Sequence, residues 1–133
     1  MENLINDIKR HEGFSGMPYD DNRGLPTIGY GTLLPISEFE GELLLKHRLD
    51  LIIQELYNHK PFMQELPEEA QEILLNMAYN LGVPRLMKFK KMWKALESGD
   101  FIEASKEMKD SRWYRQVGKR AEELVERMSN VSY

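Results

Sequence analysis

The 133-residue chain has no cysteine, so it offers neither a disulfide framework nor a thiolate metal site, and thiol usage says nothing about its redox compartment. Histidine is scarce. His11, His47 and His59 form no H-x-x-x-H or H-E-x-x-H pair, so neither a metal nor a cofactor is expected. Long apolar runs are missing too: Leu43-Leu44-Leu45 and Leu51-Ile52-Ile53 fall far short of the roughly 20 residues a membrane helix needs. The N-terminus mixes Glu2, Asp7, Lys9 and Arg10 with its apolar residues, a pattern unlike a secretory signal. These absences predict a soluble protein made in the cytoplasm, with no membrane partner.

The length suits one compact domain that buries well over half of its unfolded surface. Its net charge of −4 conceals an asymmetry. Residues 1–83 carry 6 Lys and Arg against 14 Asp and Glu, whereas residues 84–128 carry 12 against 8. The basic half is either an ordinary set of mixed-charge helix surfaces or a modest field that draws a polyanion. Its density falls below that of a dedicated nucleic-acid binder, and no nucleic-acid partner is expected.

Hydrophobic periodicity lays out the chain. Leu4, Ile5 and Ile8 share a helical stripe that lands on Glu12, and Gly13 follows as a stop. Between Gly16 and Pro35 the helical period gives way to alternating glycines and apolar residues. That pattern predicts a hairpin or three-stranded antiparallel sheet with "DNRG" at a turn. Ser37 and Glu40 form a capping box for a long helix to about Tyr57, ended by Pro61. A helix after Pro67 presents Ile73, Leu74, Met77, Ala78 and Leu81 and closes at Gly82. Leu86, Phe89, Trp93 and Leu96 mark another, ended by Gly99. Asp100 and Glu103 cap one running through Met108, and a final helix spans about Gln116 to Met128. The class is α+β, mostly helical. The eight methionines are expected to fill the core.

Chemistry concentrates in "HEGFSGMPYDDNRGLPTIGYGTLLP", residues 11–35. A carboxylate that continues an apolar stripe, as Glu12 does, points toward an interior or a cleft, and partial desolvation and the helix C-terminus both favour its protonated form. The bland alternative is a helix-end acid paired with a surface cation. Asp20 and Asp21 sit in a turn, where backbone donors keep a carboxylate ionised; one of them is expected to serve only the turn. A protonated acid facing an ionised one divides acid and base roles as in glycoside hydrolysis.

The spacing Glu12, eight residues, Asp21, five residues, Thr27, then Ile28-Gly29-Tyr30-Gly31 resembles the E-x8-D-x5-T-I-G-x-G signature of the T-even phage-type lysozymes, glycoside hydrolase family 24. "LNMAYNLG" at 75–82, Phe89 and "SRWYRQVGKRA" at 111–121 resemble that family's C-terminal lobe in order and separation, so the likeness covers nearly the whole chain.

The resemblance implies one lysozyme domain over 1–133: an N-lobe at about 13–37, a linking helix at about 38–57 and a helical C-lobe at about 58–133, with the helix at 3–12 packing near the C-lobe. It implies an inverting muramidase in which Glu12 is the general acid and Asp21 and Thr27 hold and activate water. Leu33 and Tyr79 fall at substrate-binding positions and Arg120 at a supporting one. It also implies peptidoglycan strands as the partner of a monomer that waits in the host cytoplasm before it meets the wall. An inactive peptidoglycan-binding module on the same fold is the alternative. Departures from the family pattern are Thr32 and Arg48, where an ion pair is lost, and Met92 and Glu107, which replace smaller polar cleft residues.

Overall fold

A computed structural model describes all 133 residues. The chain runs through α1 (Glu2–Glu12), β1 (Ser15–Asp20), β2 (Pro26–Gly29), β3 (Thr32–Leu33), α2 (Glu38–His59), a 3-10 turn (Pro61–Glu65), α3 (Glu68–Leu81), α4 (Val83–Met87), α5 (Lys90–Glu97), α6 (Phe101–Lys109), α7 (Arg112–Val117) and α8 (Lys119–Ser129). The α+β, mostly helical class follows directly. No helix is long and apolar enough to cross a membrane. Two compact units divide the chain within α2, at Met1–Leu45 and Lys46–Tyr133.

The first unit is organised by its sheet, an antiparallel β1-β2-β3 meander. Tyr19 pairs with Thr27 and Asp20 with Pro26, while Thr27 also faces Leu33 across the second ladder. Thr27 therefore sits on the central strand and is 1 % exposed, the one buried residue of this unit. The register slips between Ser15 and Tyr19, as the glycine and proline in "SGMPY" lead one to expect. Within the first unit α1 lies on the surface: Leu4, Ile5 and Ile8 are 49 %, 51 % and 44 % exposed, and the helix buries no residue. Its eleven residues carry the periodicity of a packed helix, but inside the first unit nothing covers that face. At the start of α2 the predicted capping box is complete. Glu40 N–H donates to Ser37 Oγ at 3.1 Å and Ser37 N–H donates to Glu40 Oε1 at 2.9 Å.

The second unit holds the apolar core. Leu56, Met63, Ile73, Leu74, Met77, Leu86, Met92, Leu96, Met108, Leu124 and Met128 are all fully buried there, so five of the eight methionines do fill it. Trp93 is buried with its indole N–H donating to the Leu86 carbonyl at 2.9 Å, which removes the cost of burying that polar group. Two expected helices prove to be broken. Pro84, in the first turn of α4, starts a short helix that ends at Met87 before α5 begins at Lys90. Gly118, at φ 77° and ψ −130°, separates α7 from α8, so the last helix begins at Lys119 rather than near Gln116. Asp100 caps α6 as expected, accepting from Glu103 N–H at 3.0 Å.

A latch ties α3 to the last two helices. Asn76 and Asn80 lie one turn apart on α3. Asn76 Oδ1 accepts from Arg120 Nε at 2.8 Å, and its backbone carbonyl accepts from Arg120 Nη2 at 3.1 Å. Asn80 Oδ1 accepts from Trp113 Nε1 at 2.9 Å. The two C-terminal segments singled out in the sequence thus meet through defined hydrogen bonds. Farther along, Arg127 Nε meets Glu69 Oε1 at 2.6 Å.

Truncating a core side chain in this unit is expected to leave a cavity. Ile73→Ala should cost about 2–5 kcal/mol in chemical denaturation, whereas Ile102→Ala, at 59 % exposed, should change stability by no more than about 0.5 kcal/mol.

Candidate active site

Gly13, at φ 70°, lets the chain leave α1 immediately after Glu12, a backbone turn that a side chain would oppose. Its N–H donates to the Lys9 carbonyl at 2.9 Å, so the helix closes there and Glu12 is its last residue. Within the first unit the Glu12 side chain is exposed at the end of a helix that buries nothing.

What holds Glu12 is the second glycine of "TIGYG". Gly31 lies in the turn between β2 and β3 at φ 74°. A Cβ there would lie 2.6 Å from Glu12 Oε2 and 2.7 Å from its carboxyl carbon. Only hydrogen fits between this backbone and the carboxyl group. The motif carried that glycine in plain view, but its partner was hidden until the fold brought residue 31 back against residue 12.

The "DNRG" stretch is a turn built around one carboxylate. Asp21 Oδ1 accepts from Arg23 N–H at 2.8 Å and from Leu25 N–H at 2.9 Å, while Arg23 Nη2 reaches Oδ2 at 3.3 Å. Asp21 N–H also donates to the Leu25 carbonyl, closing the connection from β1 to β2. The Leu25 N–H, then the N–H and guanidinium of Arg23, hold the Asp21 carboxyl below the ordinary value of 3.8 against the opposing effect of partial burial. It is therefore ionised at neutral pH. The turn-serving role expected of one of the two aspartates thus falls on Asp21 itself, whose second oxygen is bonded only by the Arg23 guanidinium.

Glu12, Asp21 and Thr27 line a single cavity of about 430 Å3, with Tyr19, Asp20, Asn22, Arg23, Gly31 and Leu33. Thr27 uses its hydroxyl proton on the Leu25 carbonyl at 2.8 Å, which leaves its oxygen as an acceptor. Leu33 is 46 % exposed on the rim. Of the other predicted residues, Tyr79 is exposed on α3, and Arg120 is bonded to Asn76 in the first turn of α8. Met92 and Glu107 line a separate groove of about 370 Å3 in the second unit with Lys88, Phe89 and Ser111. No three His, Asp or Glu side chains are placed to hold a metal ion.

Glu12, Asp21 and the Thr27 hydroxyl around one open cavity beside a small sheet mark a candidate hydrolase site that works through carboxyl groups. The phage lysozyme family profile matches residues 9–130, and the chain belongs to that family. It is 28 % identical to the pre-baseplate central spike protein Gp5 of Enterobacteria phage T4 in an alignment covering 89 % of this chain and 26 % of that protein. It is also 29 % identical to probable T4-type lysozyme 2 of Dictyostelium discoideum, over 68 % of this chain and 55 % of the relative. The chain thus spans about a quarter of the spike protein and about half of the amoebal one.

Two outcomes follow from this geometry. In an NMR titration the Arg23 and Leu25 amide signals should move with a midpoint below 3.8, the ordinary aspartate value. The sign is fixed by the depressed folded value: what Asp21 contributes to the turn is full above its unfolded pKa and lost as pH falls through the folded one. Gly31→Ala should displace the Glu12 carboxyl, read as a 13C shift at Glu12 larger than any at Asp21.

Proposed function

We propose that the chain is a muramidase that hydrolyses the β-1,4 bond between N-acetylmuramic acid and N-acetylglucosamine in bacterial peptidoglycan. The observation that carries this reading is the meeting of Glu12, Asp21 and Thr27 around one cavity. Family membership and the T4-type lysozyme names of the amoebal relatives support it.

Glu12 gives its proton to the glycosidic oxygen as that bond breaks, while water attacks the anomeric carbon from the opposite face and passes a proton to Asp21. Thr27 and Asp21 are suited to aim that water. With its own proton committed to Leu25, Thr27 Oγ1 accepts one hydrogen from the water and Asp21 Oδ2 accepts the other, leaving an oxygen lone pair for the carbon. The product then has inverted configuration. Inversion needs the two carboxyls roughly 6.5–9.5 Å apart, with water between them. A cavity of about 430 Å3 is many times the roughly 30 Å3 share of one water, so room is not limiting.

Leu33 offers an apolar rim to a sugar ring, and Tyr79 an exposed aromatic face. Arg120 acts as a support anchored by Asn76, and the groove with Met92 and Glu107 is a further place for the glycan. In this reading the protein works as a monomer on glycan strands without a cofactor. It accumulates in the host cytoplasm and acts once it reaches the wall.

Clearing of a purified peptidoglycan suspension tests the proposal. Glu12→Gln and Asp21→Asn should each lower the rate by about 10²–10⁴-fold with the fold retained, and NMR of the first product should show the α-anomer. Wild-type protein that binds the wall without clearing it would establish the inactive-module alternative; equal clearing by wild type and Glu12→Gln would remove Glu12 from the acid role.

A further inference from the structure

We infer that Arg23 is a positioning residue for Asp21: its backbone N–H ties one carboxylate oxygen to the turn, and its guanidinium orients the other and favours the ionised carboxylate at the cavity. The inference rests on the muramidase reading and deepens it. Asp21 Oδ1 is taken by the N–H groups of Arg23 and Leu25, at 2.8 and 2.9 Å. Only Oδ2 is left to receive a proton from water, and the only side chain bonded to it is the guanidinium of Arg23, at 3.3 Å. Arg23 therefore grips the carboxylate twice, through its backbone on one oxygen and through its side chain on the other.

Charge makes the second grip matter. The residues lining the cavity include three carboxylates, Glu12, Asp20 and Asp21, and Arg23 is the one cation among them. Tyr19 on β1 is the remaining titratable group, while Thr27 on β2 and Leu33 on β3 bring none. Without the guanidinium, no opposite charge remains among the residues that line the cavity with Asp21, which favours its protonation as pH falls. The long, exposed contact also leaves Oδ2 a free lone pair: the Arg23 side chain is 64 % exposed against 19 % for Asp21. Such a pair is worth little to folding. Its effect belongs in the ionisation and aim of the base, where the geometry concentrates it.

The test is the pH profile of kcat/KM on purified peptidoglycan for wild type, Arg23→Gln and Arg23→Lys, with melting curves as a control on folding. Arg23→Gln should shift the acid limb to higher pH. Relative to wild type, its loss should grow as pH falls, reaching about two- to five-fold at the acid end, the scale of an exposed ion pair. The loss should fall on kcat more than on KM, and Arg23→Lys should return the limb toward wild type. A ratio of Arg23→Gln to wild type that is constant across pH overturns the inference, as does a lysine variant that restores nothing. The Asp21→Asn variant separates the two levels: if it clears peptidoglycan as wild type does, the muramidase assignment of Asp21 has failed, whereas an inactive Asp21→Asn with superimposable Arg23 profiles rejects the role of Arg23 alone.

Discussion

The Asp21 carboxylate is the constraint on which the first unit depends. One oxygen organises the β1–β2 connection by accepting two backbone N–H groups, and that connection fixes where Thr27 sits on the central strand. The other oxygen accepts only from the Arg23 guanidinium, and the residue lines the cavity. The turn and the proposed chemistry therefore draw on the same side chain, and Asp21 cannot swing away without breaking the turn it builds. Such double use suits a unit that buries only Thr27, because hydrogen bonds supply the definition that apolar packing supplies in the second unit.

The proposed acid, Glu12, is placed by a different device. Glu12 is confined by what Gly31 lacks, the carbon atom that would occupy its carboxyl position. A helix stop at Gly13 and a tight strand turn at Gly31, both at positive φ, bring Glu12 and Gly31, nineteen positions apart in the chain, together without any bond between them. One carboxylate is gripped and the other is merely given room. That asymmetry matches the work proposed for them, since a base must hold its aim on water while an acid must follow the departing oxygen.

Local signals were legible in the sequence. The turn at "DNRG" and the caps at Ser37 and Asp100 depend on residues no more than a few positions apart, and each was found where expected, as was the antiparallel sheet around that turn, with the second of its two expected forms, three strands, observed. The core face of α3 was legible for the same reason. Breaks between short helices were not. Gly118 lies inside an apolar periodicity that runs unbroken through it, and only its positive φ shows that the helix restarts. Periodicity marked α1 as a helix, but a stripe records which side chains are apolar and not what covers them. In the site, spacing selected Asp21 over Asp20 but could not reveal that Asp21 builds the turn, nor that Arg120 is bonded to Asn76, 44 residues away.

The sulfur content of the core has a chemical consequence. Met63, Met77, Met92, Met108 and Met128 are fully buried, whereas Met1 and Met17 are 90 % and 73 % exposed. Peroxide reaches the exposed thioethers freely, and converting them to sulfoxides leaves the interior untouched. The buried five react only when the helices part, and each added oxygen places a polar group where the closed state has no space or partner for it. Oxidant thus turns a reversible opening of this core into an irreversible one, with the methionines as the record of how often it has opened.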